Sequence, residues 1–170
     1  VLILVVKPKE GIKMFRQPKW VRGERVEQTA TFSLPVPAEK VFPLLCPVKE
    51  YEWIPDWSCE MVYSQSGFAE KGAVFTTKSK PFGKMLWTCT VFEPPKRIEY
   101  LRTLGSGISV LLEIELTTTK DGCDVTWTSK STIAPSLSGW LLRKKMTEKN
   151  FNSMMKLRKE QLLTFFSLNH

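Results

Sequence analysis

From Ser58 to Ile133 the apolar residues fall into step at every second position, and no other feature of the chain restricts the fold so tightly. Six segments share this period: Ser58–Ser64, Ala73–Ser79, Lys84–Phe92, Arg97–Leu104, Ile108–Thr118 and Cys123–Ile133. A period of two is that of a strand with one buried face. Turn signals stand between them, namely Ser66-Gly67, Pro81-Phe82-Gly83, Pro94-Pro95, Gly105-Ser106-Gly107 and Lys120-Asp121-Gly122. Connections this short join antiparallel neighbours, so the segments predict a meander. The alternation also assigns faces. Val110, Leu112, Ile114 and Leu116 point one way, while Glu113 and Glu115 point to water. Val125 and Trp127 likewise oppose Asp124, Thr126, Thr128 and Lys130. A sheet wet on one face must be covered on the other.

The stretch able to cover it runs from Pro135 to Leu168. At about 100° per residue, Leu137, Trp140, Phe151, Met154, Met155, Leu162, Phe165 and Phe166 share one side of a helix. Lys145, Lys149, Asn152, Lys156 and Lys159 lie opposite, which predicts one long amphipathic helix. Lys144 and Arg158 interrupt the apolar stripe, and Arg158 sits in the middle of it. A cation has no place on a face packed against a dry core. Arg158 therefore either roofs a cavity, where it meets a carboxylate or phosphate, or snorkels to the rim. Upstream, Glu24–Leu34 reads as a first strand. Val36-Pro37-Ala38-Glu39 then opens a short helix, and a second follows from Pro47 to Trp53, stopped before Pro55. The predicted fold is α+β: a curved seven-stranded antiparallel sheet wrapped around a long C-terminal helix, with two short helices after the first strand.

A chain of 170 residues is long enough to bury a core as one domain, expected over residues 24–170. Residues 1–23 form a basic arm containing Lys7, Lys9, Lys13, Arg16, Lys19 and Arg22. With the outer face of the last helix they account for much of the net charge of +8. Such a balance suits an anionic membrane surface in transient contact, an anionic ligand or nucleic acid. Nucleic acid ranks last, because the strand aromatics have inward parity and are not displayed for base stacking. The run Val1–Val6 is too short for a membrane span or a signal-peptide core and is expected to be an edge strand or a non-native remnant in preference to a clipped targeting segment. Cys46, Cys59, Cys89 and Cys123 stand far apart without a CxxC pair, which fits free thiols and a reducing cytoplasm. The only histidine is His170, which removes histidine-based metal binding and His-assisted nucleophilic catalysis. No cofactor and no metal are expected.

Several local motifs carry a resemblance. Pro35-Val36-Pro37-Ala38-Glu39-Lys40-Val41-Phe42 leads a strand into a helix, and Glu52-Trp53-Ile54-Pro55-Asp56-Trp57 gives a W-x-P-x-W opening to the second strand. Glu70-Lys71-Gly72-Ala73-Val74-Phe75 leads into the third strand. Trp87, Glu93-Pro94-Pro95-Lys96-Arg97-Ile98-Glu99-Tyr100 and Asp124-Val125-Thr126-Trp127-Thr128 complete the set. In these motifs and in element order the chain resembles the START-like helix-grip superfamily (SRPBCC), and within it bacterial members of unassigned function. The superfamily includes polyketide cyclases, birch-pollen-allergen-like proteins and START lipid-transfer domains. The resemblance covers roughly residues 25–168. It implies an apolar cavity between sheet and long helix, used for carrying lipids, hormones or polyketides, or for cyclase and dehydratase chemistry.

Candidate cavity residues follow from parity and aromatic character. Trp53, Trp57, Phe75, Trp87, Tyr100 and Trp127 offer large apolar faces with polar edges, and Leu112 shares their inward parity. Phe151, Met154 and Met155 form an adaptable patch on the helix beside Arg158. Ordinary core packing competes with the binding role at each of these positions. Arg102, two residues beyond Tyr100, is a candidate second cation at the cavity mouth. Glu50, Glu52 and Asp56 read as solvent-facing charges near a turn, and the central strands carry no inward Asp or Glu. No zinc spacing, Gly-rich phosphate loop or activated nucleophile is present, so catalysis finds no support beyond the phenol of Tyr100. The expected function is binding, with transport or sequestration, of a hydrophobic or amphipathic small molecule of lipid or polyketide type. The alternatives are a small cyclase- or dehydratase-type enzyme in the same cavity, and a non-catalytic protein-interaction module of the chaperone-activator type.

Overall fold

The computed structural model describes residues 19, 21–79, 83–105 and 107–169. Nearly all of the basic arm, with the Val1–Val6 run, lies outside the described residues, as do Lys80, Pro81, Phe82 and Ser106 in two of the expected turns.

The first strand, β1 (Glu24–Leu34), is followed by a helical turn α1 (Ala38–Val41) that tightens into a 3-10 turn over Phe42–Leu45. Pro43 removes a backbone donor there and keeps the helix short. A second 3-10 turn, Glu50–Glu52, stands where a longer helix from Pro47 to Trp53 was expected. Then come β2 (Cys59–Tyr63), β3 (Val74–Ser79), β4 (Gly83–Glu93), β5 (Arg97–Leu104), β6 (Ile108–Thr119) and β7 (Gly122–Ile133). The strands form a single seven-stranded sheet in the order β1-β7-β6-β5-β4-β3-β2, antiparallel at every joint. Register shifts at Met61/Tyr63 and Cys89/Val91 mark bulges, which bend and twist a sheet locally. At the start of β7 a Cβ on Gly122 would lie 2.1 Å from the Leu34 carbonyl oxygen, so glycine is needed for the end of β1 to close on β7.

The two faces of the sheet follow the alternation. Ile98, Tyr100, Leu112, Ile114, Val125 and Trp127 are buried on the inner face. The outer face is tied by polar cross-strand pairs. Arg97 Nε meets Glu113 Oε1 at 2.6 Å and Lys130 Nζ meets Glu113 Oε2 at 3.6 Å. Thr29 and Thr31 face Thr128 and Thr126 at 3.1 and 3.0 Å.

The segment after β7 corrects one expectation. In place of one helix over 135–168 there are two, α2 (Leu137–Lys145) and α3 (Glu148–Leu168). Thr147 causes the break: its backbone is extended and its side chain accepts from the Asn150 N–H at 3.2 Å, so it caps α3. Asn150 Nδ2 donates to the Lys145 carbonyl at 2.9 Å and closes the end of α2. Because α2 takes its own direction, Leu137 and Trp140 do not join the apolar face; they are 75% and 54% exposed. Leu142 and Met146 instead pack on a small cluster of Leu104, Ile108, Val110 and Ile133. The expected stripe survives on α3, where Phe151, Met155, Leu162 and Phe166 are buried in the main core. Among the described residues no helix is long and apolar enough to cross a membrane.

Candidate functional site

The segment from Pro47 to Trp57 is held to itself, to the preceding turn and to the start of β2 by polar edges of its aromatic rings. Trp53 Nε1 donates to the Leu44 carbonyl and Trp57 Nε1 to the Pro47 carbonyl, both at 2.8 Å. The Tyr51 hydroxyl accepts from the Cys59 N–H at 2.8 Å and donates to the Cys59 carbonyl at 3.0 Å. From β5, the Tyr100 hydroxyl donates to the Leu45 carbonyl at 3.0 Å. Asp56 takes a left-handed conformation (φ 59°) at the turn into Trp57, a geometry Asp tolerates better than most residues. Sheet, insert and α3 thus hold a space open between them.

That space is a cavity of about 620 Å³. Phe75, Trp87 and Tyr100 form one wall as an aromatic cluster: Phe75 and Trp87 stack at 5.4 Å, and Tyr100 meets both edge-on at 5.6 and 6.1 Å. Leu112 and Trp127 continue the sheet wall, Trp57 closes it from the insert, and Phe151, Met154 and Arg158 line it from α3. Nine of the eleven candidate residues therefore meet around one space. Two do not line it. Met155 is buried in the main core. Trp53 is also buried, with its ring 5.8 Å from the Arg158 guanidinium.

The charged lining departs from the expected pattern. Glu50 faces the cavity and not bulk water, because the 3-10 turn at Glu50–Glu52 rotates it inward while Tyr51 and Glu52 stay exposed. Burial pushes its carboxyl up to about 8, against the opposing influence of Arg158. Asp56 is exposed, as expected, and stands at the edge of the cavity. Neither carboxylate sits on a strand, so no alternation pattern could have pointed to them. The only available signal was the Trp-rich sequence around them. Arg158 is half-buried; its Nη1 donates to Gln161 Oε1 at 2.9 Å, and desolvation lowers its pKa while Glu50 holds it up. Arg102 lies over the Trp87 ring at 4.8 Å, with desolvation alone pulling it down to about 10. Its Nε is buried without a hydrogen-bond partner among the described residues.

Other chemistries are poorly served. The Tyr100 phenol is committed to Leu45, and its pKa is raised well above the ordinary value, chiefly by desolvation. Burial pushes the Cys89 thiol up to about 12, which leaves it a poor nucleophile. Among the described residues no three His, Cys, Asp or Glu side chains stand together in a way that could hold a metal ion.

Comparison with solved structures finds the same helix-grip architecture at low identity. A protein of unknown function from Rhizobium leguminosarum is 13% identical, covering 88% of this chain and 99% of its own, with a TM-score of 0.61. A protein from Mesorhizobium loti is 14% identical over 81% and 96% of the two chains, with a TM-score of 0.60. Norcoclaurine synthase from Thalictrum flavum is 11% identical over 92% and 99%, with a TM-score of 0.62. At these identities the likeness concerns the fold alone. Comparison with curated protein sequences finds no match. Residues 25–162 match the family described as polyketide cyclase / dehydrase and lipid transport, and the chain belongs to that family.

Proposed function

We propose that the domain over residues 24–170 binds, and carries or sequesters, an amphipathic small molecule of lipid or polyketide type in the cavity between sheet and α3. The observation that carries this reading is the 620 Å³ space walled by Phe75, Trp87, Tyr100 and Trp127. Its size is that of a site for a drug-sized ligand, and its lining is mostly apolar with a few convergent polar groups. Burying about 200 Å² of ligand surface there contributes about 5 kcal/mol before the costs of association. Exposed Met154 on α3 supplies an adaptable edge to the cavity. Four free thiols suit a reducing cytoplasm as the working compartment.

Thermal melts with saturated fatty acids and flat polycyclic compounds test the reading. Members of one series are expected to raise Tm by several degrees. Trp87→Leu removes a stacked wall and should change the rank order of compounds, because a smaller side chain opens space beside Phe75 and Tyr100. An unchanged rank order in a folded variant counts against the assignment.

A second reading is favoured by Glu50. A proton-transfer enzyme needs an acid or base inside the cavity that titrates near neutral pH. Glu50 is inside and its carboxyl is pushed up to about 8. Turnover of a bound compound that Glu50→Gln abolishes while binding persists would select this reading. An interaction module, by contrast, would have filled the same space with its own side chains.

A further inference from the structure

The cavity holds two arginines in different electrostatic states. Arg158 has Gln161 as a hydrogen-bond partner, the Trp53 ring nearby and a partly exposed position. Glu50 also faces it and can surrender its proton to form a pair. Arg102 is likewise partly exposed and lies against an aromatic ring, but among the described residues no acid answers its charge. No carboxylate lies within 4.0 Å of it among the described residues, and no acidic group offsets its desolvation. Its Nε is buried and unpartnered, and its guanidinium is held against Trp87. Trp87 is fixed in turn, since its Nε1 donates to Thr77 Oγ1 at 2.8 Å.

A half-buried cation without a counter-charge is costly, and a guanidinium with a pKa near 10 remains charged at neutral pH. Replacing Arg102 with an apolar residue would complete the wall at lower cost. Position along β5 sharpens the contrast. Arg102 stands between Tyr100 of the main core and Leu104 of the smaller cluster under α2, where apolar side chains would ordinarily continue. Around the same space lie the buried Ser129 and the Lys78 side chain, which add a hydroxyl and a third cation.

Resting on the carrier reading above, we propose that the ligand is a carboxylate amphipath and that Arg102, not Arg158, anchors its head. The terminal edge of a guanidinium donates two parallel N–H bonds to a planar carboxylate, and in Arg102 only Nε is enclosed, which leaves the two Nη groups for a ligand. The Trp87 ring fixes the plane of the fork before the ligand arrives, so little order is lost on binding. The apolar body then lies against the aromatic lining of Tyr100, Trp127 and Phe151.

The test compares 9-anthracenecarboxylate with 9-anthracenemethanol, two probes of the same shape that differ in charge, by fluorescence titration at neutral pH. The wild-type protein should bind the acid about 10–100-fold more tightly, as expected for hydrogen bonds to a charged group. Arg102→Met should bring the two affinities within about twofold while the alcohol still binds, and Arg102→Lys should restore only part of the preference. Arg158→Gln should keep it. Equal wild-type affinities overturn the anchor and leave the carrier reading standing. Binding of neither probe, nor of any fatty acid, overturns both. A preference that persists in Arg102→Met, or disappears in Arg158→Gln, transfers the head to another group and refutes the proposal. The wild-type comparison tests the charge preference without a variant, and Arg102→Lys, which keeps a cation in place, locates the head if Arg102→Met folds poorly.

Discussion

Glu50 couples the chemistry of the cavity to stability. Its carboxyl ionises near pH 4.5 in the unfolded chain and near 8 when folded, because burial opposes the charge. The folded state therefore holds this proton more tightly. The contribution is complete below about 4.5, falls as pH rises through the window to about 8, and is lost above it. Glu50→Gln keeps the shape without the titration. The variant should melt within a degree or so of wild type at pH 5 and several degrees higher at pH 8.5, at roughly 2–4 °C per kcal/mol. A Tm difference independent of pH would show that the carboxyl is solvated in the folded protein. Arg158 works against the shift from across the cavity, so removing it should push the Glu50 carboxyl higher still.

At the level of elements, the junction between α2 and α3 decides where the apolar side of the C-terminal segment goes. Thr147 is a poor residue for a helix interior and a good N-cap, and Asn150 closes α2 from the other side. Thr147→Ala should cost about 1 kcal/mol, measured by urea denaturation, and should loosen the first turn of α3 before the sheet. The helical turns between β1 and β2 have a comparable role. They are short because Pro43 and Pro47 leave little backbone for longer helices, and their bends aim Glu50 and Trp57 at the cavity. The six alternating segments were legible to within one residue at each end, because a period of two with one wet face admits few alternatives. Helical spacing is less restrictive. It placed Phe151, Met155, Leu162 and Phe166 on the buried side, and it also admitted Leu137 and Trp140, which are exposed once the helix breaks.

The whole molecule is a covered sheet that leaves part of its inner face unfilled. Large side chains in a well-filled core usually leave few voids. Here 620 Å³ remains between aromatic walls, a surplus that Leu112→Trp would reduce. That variant should hold or raise Tm, since the added ring finds apolar neighbours, and should weaken the anthracene probes by about tenfold or more. Equal binding with a filled cavity would move the ligand elsewhere on the protein.

The meander of six strands, its wet and dry faces and the inward parity of Phe75, Trp87, Tyr100, Leu112 and Trp127 were determined by sequence, because backbone period dictates them locally, and local motifs carried the family. The inward turn of Glu50, the loss of Trp53 and Met155 to the core, and the isolation of Arg102 from every carboxylate among the described residues were decided only by tertiary structure. Each depends on which groups from distant parts of the chain come within a few ångströms, and on how much water the assembled walls leave between them. A residue's charge is written in the chain, but its counter-charge is set by the fold.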